Sequence, residues 1–435
     1  VEDCINNLRP ELSAYREWTP EKAIIQAQAA DDALAQAKDF GTLQGIPISV
    51  KDLYGVDGTQ TFAGSPAPMP SPWQSEGDLI KALRQQHSVF TGKTHTVEFA
   101  FGGVGINSHW GTPQNPWDEH NHRAPGGSSS GAGVSLCEGS ALVALGSDTA
   151  GSVRIPASVT GNVGLKTSYG RWPVTGVFPL SPTLDTTGIL TRTVEDAVVA
   201  FSAIDPHQRS FGPRLTRQVA QCQPSDFVIG IGERSLWEGC DPGICETVDD
   251  AIKELSQAGV RAIEATLPEI TPAIELLKIG SVAAAEIDEM LETTAPDSRD
   301  TLDPLVSSRI KEGGSISASE YLRRRRKLRS LSRAANARFE TCQVIVSPTV
   351  AITPPKVSDV QTIETYRPKN LGMLKNTCGA NYLNLCAITI PIGLENAGMP
   401  VGLQLMAKHN HDESLLAIAR CMEKILGSGA SRLNS

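Results

Sequence analysis

The chain carries two glycine-flanked serine turns, Gly126-Gly127-Ser128-Ser129-Ser130-Gly131 and Asp148-Thr149-Ala150-Gly151-Ser152-Val153-Arg154, and the upstream run Val50-Lys51-Asp52 supplies a lysine. A serine hydroxyl is a poor nucleophile until a base takes its proton, and neither turn contains a histidine that could do so. We therefore infer a Ser-Ser-Lys triad.

These three segments resemble the amidase signature family, which combines a hydrophobic-Lys-Asp strand end, a Gly-Gly-Ser-Ser-x-Gly turn and an Asp-Thr-x-Gly-Ser turn in this order. Other family-like segments include Gly45-Ile46-Pro47 near the start and Pro400-Val401-Gly402-Leu403-Gln404 near the end. The resemblance covers nearly the whole chain. It implies an α/β fold in which a mixed central β-sheet lies between layers of α-helices.

Length and composition set limits on the architecture. A chain of 435 residues would by itself suggest two or three domains. However, Lys51, Ser128 and Ser152 must meet in one site, and family-like segments recur as late as Gln404, so we expect a single domain over residues 1–435. No apolar run reaches the roughly 18 residues that a membrane span needs, so we do not expect this chain to be an integral membrane protein.

The charge argues against a nucleic-acid partner, because phosphate binding needs a basic face and the net charge is −9. One basic run, Arg323-Arg324-Arg325-Arg326-Lys327, is the local exception. It follows Ser317-Ala318-Ser319-Glu320, which is typical of a helix N-terminus. We expect a helix with a solvated basic face and with Leu322, Leu328 and Leu331 directed inward; a polyanion site is the alternative.

Cysteine and histidine usage points to an intracellular protein without a metal site. The nine cysteines are an odd number and include no Cys-x-x-Cys pair, which favours reduced thiols and a cytoplasmic location. The pairs His120-Asn121-His122 and His409-Asn410-His411 each offer two potential metal ligands. Both pairs lie in polar stretches, so we interpret them as loop histidines.

Hydrophobic patterns predict the elements that carry the motifs. Thr19 is the expected cap of the first helix, and the strand that ends at Lys51 should direct this lysine into the interior. The predicted helices are Pro20 to Ala37, Ala132 to Glu138 and Val248 to Ala258, and the predicted strands are Ile46 to Val50, Ala141 to Leu145 and Phe227 to Gly232.

The resemblance assigns a role to each member of the triad. It implies that Ser152 is the nucleophile, that Ser128 is a bridging serine preceded by a cis peptide bond from Gly127, and that Lys51 is the base. Lys51 must be neutral to act as a base, yet a free lysine has a pKa near roughly 10.4. Burial and nearby hydrogen-bond donors would have to lower its pKa.

The second turn also suggests an oxyanion site, because the backbone N–H groups of Thr149, Ala150, Gly151 and Ser152 can converge on one point. Ala150 stands where the family more usually has glycine, and its methyl group should narrow this site and disfavour positive φ. The Asp-Thr-Ala-Gly-Ser form also resembles that of allophanate hydrolases, which act on a small urea-derived amide.

Three further residues are expected to support the site rather than to react. Asp148 and Arg154 flank the nucleophile, and we interpret them as groups that fix the turn through a buried ion pair. Ser129 should support the network by hydrogen bonding, and a plain turn serine is the alternative.

The resemblance implies an enzyme that hydrolyses a small carboxamide, carbamate, urea-derived amide or ester through a serine acyl-enzyme, with no metal or organic cofactor. Two other functions stay open. One is the glutaminase subunit of a tRNA-dependent amidotransferase complex, and the other is a catalytically idle binding protein of the same fold. A homodimer is compatible with the sequence.

Overall fold

The computed structural model of the protein describes residues 1–211, 214–280 and 282–433. One sheet of eleven strands forms its centre. The strands are β1 (Tyr15–Trp18), β2 (Pro47–Lys51), β3 (Val89–Thr94), β4 (Val143–Asp148), β5 (Val163–Lys166), β6 (Thr186–Thr191), β7 (Val228–Ile231), β8 (Arg261–Glu264), β9 (Val344–Pro348), β10 (Cys386–Leu394) and β11 (Pro400–Ala407).

The sheet is mixed and its spatial order is β1-β3-β2-β4-β6-β5-β10-β11-β9-β7-β8. β2 pairs in parallel with β3 and β4, and β7 pairs in parallel with β8 and β9. The other neighbouring pairs are antiparallel. Strands from both ends of the chain thus share one sheet.

Helices cover both faces of this sheet. They are α1 (Glu2–Asn6), α2 (Pro20–Ala35), α3 (Asp78–Gln85), α4 (Ser130–Glu138), α5 (Arg154–Val159), α6 (Val194–Ile204), α7 (Pro206–Phe211), α8 (Arg214–Gln221), α9 (Ile244–Gln257), α10 (Ile270–Lys278), α11 (Val282–Thr294), α12 (Pro304–Gly314), α13 (Ala318–Asn336), α14 (Ile363–Leu374), α15 (Cys378–Tyr382), α16 (Asp412–Leu426) and α17 (Gly429–Leu433).

The burial of the strands explains this layered arrangement. Every residue of β2 to β6, β9 and β11 is buried. Because successive side chains of a strand point to opposite faces, complete burial means that both faces are covered. The expected fold class, a mixed sheet between helical layers, is confirmed.

The elements that carry the motifs lie close to their predicted positions, with small shifts. The predicted strand Ala141 to Leu145 begins later and extends to Asp148, so the second serine turn directly follows β4. Thr19 is the N-cap residue of α2 as predicted, but its side chain forms no capping hydrogen bond. Its hydroxyl donates instead to the Thr91 carbonyl oxygen at 3.2 Å.

The basic run lies on α13 as expected, and the Ser317 hydroxyl accepts a hydrogen bond from the Glu320 N–H at 3.3 Å. Leu328 is buried, but Leu322 is 52% exposed. The prediction for Leu322 is wrong because residues six positions apart on a helix lie on different faces. Arg323 and Arg324 both pair with Glu320; the Arg323 side chain is 68% exposed and the Arg324 side chain is 12% exposed.

Three further observations concern membrane spans, the histidine pairs and the cysteines. Among the described residues, no helix is both long and apolar enough to cross a bilayer. The histidines of the two predicted loop pairs all lie outside helices and strands, and the nine cysteines are free thiols.

Candidate active site

The three predicted triad residues lie at one edge of the sheet. Lys51 is the last residue of β2, and Ser152 lies in the turn between β4 and α5. Because β2 and β4 are parallel neighbours, their carboxyl ends meet at this edge. Ser128 reaches the same place from the loop that precedes α4. The structure therefore brings together Lys51, Ser128 and the turn that carries Ser152.

Lys51 is fully buried and lies within hydrogen-bond reach of two serines. Its Nζ atom is 2.7 Å from Ser128 Oγ and 2.9 Å from Ser147 Oγ. Burial lowers the pKa of Lys51 to about 7, although the Asp148 and Asp185 carboxylates oppose this shift. A lysine with this pKa is partly neutral near pH 7, as a general base requires.

The first serine turn is held by backbone contacts. The peptide bond between Gly127 and Ser128 is cis, as the resemblance implies. The Ser128 carbonyl oxygen accepts a hydrogen bond from the Val97 N–H at 3.1 Å. A Cβ atom on Gly127 would lie 2.7 Å from the Gly105 backbone nitrogen, so only glycine fits there.

Ser152 occupies the second turn with its hydroxyl unengaged. The residue is 4% exposed, and within the described part of the chain its hydroxyl forms no hydrogen bond. Ser129 supports this turn as predicted: its N–H donates to the Ser152 carbonyl oxygen at 3.3 Å, and its hydroxyl donates to the Ser147 carbonyl oxygen at 3.4 Å.

The backbone N–H groups of the second turn divide into two sets. The Gly151 N–H donates to Asp148 Oδ1 at 2.8 Å, and its role in an oxyanion site stays a prediction. The N–H groups of Thr149, Ala150 and Ser152 donate no hydrogen bond to any described residue and stay available. Ala150 is not among the residues with positive φ, so its methyl group does not strain the turn.

Asp148 and Arg154 form the buried ion pair expected from the sequence. Both side chains are 0% exposed, with Nη2 to Oδ1 at 2.9 Å and Nε to Oδ2 at 3.1 Å. Burial alone would raise the pKa of Asp148, but the Arg154 guanidinium and further hydrogen bonds hold it at about 2. Arg154 also donates to the Thr377 carbonyl oxygen and to the side chains of Gln404 and Asn381.

A narrow cavity opens in front of Ser152. It is lined mainly by apolar side chains and by the second serine turn. Among the described lining residues one is basic, Arg309 on α12. The Arg309 guanidinium stacks 3.8 Å from the Phe101 ring centroid and donates to the Phe101 carbonyl oxygen at 2.7 Å. Glu312, one turn later, pairs with Arg367, and no described carboxylate forms an ion pair with Arg309.

This site can be compared with those of known proteins. A sequence profile of the amidase family matches residues 2–416. The chain belongs to the amidase family.

The relatives of this amidase differ in their named activities. This chain is 45% identical over 428 residues to 2-amino-5-chloromuconic acid deaminase of Comamonas testosteroni. The alignment covers 98% of this chain and 92% of that protein. The chain is 32% identical over 453 residues to one of the subunits of glutamyl-tRNA(Gln) amidotransferase from Desulfosudis oleivorans, with coverage of 98% and 92%.

Solved structures share its fold. A crystal structure described as an amidase superposes with a TM-score of 0.86 at 26% identity, covering 98% of this chain and 95% of the other. The allophanate hydrolase of Kluyveromyces lactis superposes with a TM-score of 0.83 at 23% identity, covering 100% of this chain and 71% of the other, and at that identity it shows the fold alone.

Sequence reasoning missed three side chains of the amidase site. Ser147 contacts Lys51, and the Thr149 hydroxyl donates to Asp185 Oδ1 at 2.6 Å. Burial raises the pKa of Asp185 to about 6, although several hydrogen bonds oppose this shift. Arg309 is the third. Only the position of Ser147, directly before Asp148, gave a signal, because Asp185 and Arg309 reach the site through tertiary packing.

Within the described residues there is no group of three or more His, Cys, Asp or Glu side chains that could hold a metal ion. The groups assembled at this edge of the sheet are two serine hydroxyls, a buried lysine and unpaired backbone N–H groups. That set suits proton transfer and the attack of a hydroxyl on a carbonyl group.

We expect Arg154→Leu to destabilise the amidase by about 3–5 kcal/mol, because removing one partner leaves the Asp148 carboxylate buried without its cation. Thermal or denaturant unfolding measures this loss. Arg323→Leu is the matched control: its guanidinium is 68% exposed, and we expect its effect to stay within about 0.5 kcal/mol. Equal effects of the two substitutions would contradict the structural role of Arg154.

Proposed function

We propose that this amidase hydrolyses a carboxamide through an acyl-enzyme on Ser152, with Ser128 and Lys51 moving the proton. The observation that carries the proposal is the contact of 2.7 Å between Lys51 Nζ and Ser128 Oγ at the edge where Ser152 lies, together with the depressed pKa of Lys51. A buried amine that is partly neutral and touches a serine hydroxyl is equipped to accept its proton.

The proposed steps conserve protons throughout. Ser152 Oγ attacks the carbonyl carbon; its proton passes to Ser128, and the Ser128 proton passes to Lys51. When the tetrahedral intermediate collapses, the C–N bond breaks and the leaving amine takes a proton from Ser128, which recovers one from Lys51. Water then repeats the attack on the acyl-enzyme and releases the acid.

The available N–H groups of Thr149, Ala150 and Ser152 are the proposed donors to the oxyanion. A carbonyl oxygen acquires charge when Ser152 attacks, and fixed donors at that position stabilise it without reorganisation. The Ser152 hydroxyl forms no hydrogen bond with the described residues, and catalytic hydrogen bonds often tighten only when substrate binds.

Two other activities have support from the relatives. The similarity to a glutamyl-tRNA(Gln) amidotransferase component favours a glutaminase that works within a complex. The similarity to 2-amino-5-chloromuconic acid deaminase favours hydrolytic release of ammonia from an amino-substituted carboxylic acid. Both activities break a C–N bond, so the same site serves either; they differ in partner and substrate.

The test combines covalent labelling with turnover by the purified chain. A fluorophosphonate should label Ser152, and hydroxylamine should intercept the acyl-enzyme during turnover of aliphatic, aromatic, carbamate and urea-derived amides. Ammonia release only after tRNA-amidotransferase partner chains are added would support the glutaminase. Ammonia release without a trapped acyl-enzyme would support the deaminase, and absence of labelling would support an idle binding protein.

We expect Ser128→Ala to slow acylation by at least about 10²-fold, because the hydroxyl that passes the proton from Ser152 to Lys51 is lost. The melting temperature should stay nearly unchanged, because alanine is nearly as large as serine. Burst kinetics and thermal unfolding separate the two effects. Ser130→Ala is the matched control, since this neighbouring hydroxyl is buried without a hydrogen-bond partner in the described structure. An unfolded Ser128→Ala chain with normal activity per folded molecule would make Ser128 structural only.

We also propose that the substrate carries a carboxylate that binds Arg309. This guanidinium faces the cavity in front of Ser152 without an ionic partner among the described residues, and a charge-assisted hydrogen bond to a substrate carboxylate would satisfy it. The substrate named for the deaminase relative is also a carboxylic acid.

We expect Arg309→Met to lower kcat/KM for carboxylate-bearing amides by about 10- to 100-fold, because these substrates lose a charge-assisted hydrogen bond. For uncharged amides we expect kcat/KM to change little. Steady-state kinetics with paired substrates measure the difference. Arg367→Met is the matched control, since Arg367 pairs with Glu312 and does not line this cavity. Equal losses for both substrate types would remove Arg309 from carboxylate recognition.

Three further sequence predictions stay predictions: a cytoplasmic location, reduced thiols in the cell and the absence of a nucleic-acid partner. A homodimer also stays compatible with the sequence.

A further inference from the structure

A second and larger cavity lies on another side of the catalytic lysine. We call it the rear cavity; it is lined by Trp73, Trp172, Val174, Phe178, Ser147 and Thr187, among others. Its volume is about 540 Å³, within the range of small-molecule sites in proteins. No step of the proposed amide hydrolysis uses it.

The rear cavity is separated from the cavity at Ser152. Thr149 lines the Ser152 cavity, Asp185 lines the rear cavity, and the hydrogen bond of 2.6 Å between these side chains forms part of the wall between the two. Leu180 forms part of both linings. A molecule in the rear cavity therefore lies beyond this wall from Ser152.

The lining indicates the chemistry of a ligand. Indole and phenyl rings from Trp73, Trp172 and Phe178 supply flat apolar walls, and among the described lining residues none is Lys, Arg or His. Asp185 lines the rear cavity but already accepts hydrogen bonds from Thr149, Leu180 and Ser181. An anion would find no counter-charge here, so the walls favour an uncharged aromatic molecule.

One polar group marks where such a ligand would be held. Thr187 is one of the residues that line the rear cavity; it is 1% exposed, and its hydroxyl is buried without a hydrogen-bond partner in the described structure. A buried polar group without a partner is unfavourable, and a ligand hydroxyl or N–H would relieve this.

The rear cavity also reaches the catalytic lysine through Ser147. This serine lines the rear cavity, and its hydroxyl is 2.9 Å from Lys51 Nζ. The charged groups that act on Lys51 are Asp148 and Asp185, and an uncharged ligand alters neither charge. Filling the cavity would remove solvent from Ser147, the hydrogen-bond partner of the fully buried Lys51, and so disfavour the protonated form of Lys51.

We propose that the rear cavity is a second ligand site that takes an uncharged bicyclic aromatic molecule, held by the Thr187 hydroxyl, and that its occupation makes Lys51 easier to deprotonate. The first part concerns binding alone. The second part rests on the proposed role of Lys51 as the base.

The binding test uses 2-naphthol as the uncharged probe and 2-naphthoate as its anionic counterpart, with calorimetry on the full chain. We expect one saturable site for 2-naphthol and at least tenfold weaker binding of 2-naphthoate. Thr187→Val, which replaces the hydroxyl with a methyl group, should weaken the binding of 2-naphthol about fivefold. Val174→Trp should abolish binding, because Val174 is 47% exposed and lines the cavity, so a larger side chain fills it without disturbing the core.

Two matched controls keep the binding test specific. Ser88→Ala removes another buried hydroxyl without a partner, and Val199→Trp enlarges another exposed valine; neither residue lines the rear cavity. We expect both to bind 2-naphthol like the unmodified chain. Binding that survives Val174→Trp, or that is lost once a fluorophosphonate has labelled Ser152, would overturn the second site.

The coupling test measures the acid limb of kcat/KM with and without saturating 2-naphthol. We expect the limb to move to lower pH in the unmodified chain and to stay in place in Val174→Trp. A limb that does not move while 2-naphthol is bound would overturn the coupling but not the binding site. A chain without turnover on any amide would overturn the proposed function, and the calorimetric result would stand on its own.

Discussion

We expect Ser152→Ala to abolish labelling by a fluorophosphonate and to lower kcat by at least about 10³-fold, because the remaining oxyanion donors cannot replace an acyl-enzyme route. The fold should tolerate the change. The Ser152 hydroxyl forms no hydrogen bond with the described residues, and the turn is held instead through the Ser152 carbonyl oxygen and the Asp148 carboxylate. Intact-protein mass spectrometry and steady-state kinetics measure the two effects.

The control for this experiment is Ser130→Ala, which removes a nearby buried hydroxyl that has no partner in the described structure. It should keep both labelling and turnover. A Ser152→Ala chain with nearly normal turnover would remove Ser152 from the mechanism. Persistent labelling at another serine would move the nucleophile to that residue.

The positions of Lys51, Ser128 and Ser152 could be predicted from sequence because each residue lies in a local pattern that determines its own position. Lys51 ends a short buried strand, and both serines lie in glycine turns at the ends of elements. Parallel pairing of β2 and β4 then brings these ends together. The buried pair of Asp148 and Arg154 was predictable for the same reason, since both residues flank one turn.

The sequence did not determine the hydrogen-bond partner where a residue had more than one available. The Thr19 hydroxyl could bond to the first turn of its helix or to the neighbouring strand, and it donates to the Thr91 carbonyl oxygen. The Gly151 N–H could face an oxyanion or the Asp148 carboxylate, and it donates to the carboxylate. A local pattern does not rank such alternatives, because their energies depend on tertiary packing.

Residues that reach the site from distant segments could not be predicted. Arg309 lies on α12 and arrives only because that helix packs beside the loop of Phe101. Asp185 precedes β6 and meets Thr149 because β4 and β6 are antiparallel neighbours. One sequence contains no signal for these contacts.

The acid limb of the pH profile provides the sharpest test of Lys51. Only the neutral amine accepts a proton, so kcat/KM should rise with pH through the pKa of Lys51, about 7, and level off above it. We expect Lys51→Met to lower kcat/KM by about 10²- to 10⁴-fold and to remove this limb, because methionine fills similar volume without a basic nitrogen. Chelators and added metal should leave the profile unchanged.

Lys166 is the matched control for this prediction. It is also fully buried, and burial lowers its pKa to about 8, but its Nζ atom donates to the carbonyl oxygens of Thr167 and Leu385, away from the two serine turns. Lys166→Met should therefore keep the limb near pH 7 in whatever fraction of the protein folds. If Lys166→Met loses the limb and Lys51→Met keeps it, or if Lys51→Met retains normal kcat/KM, the base is not Lys51 and the proposed relay is wrong.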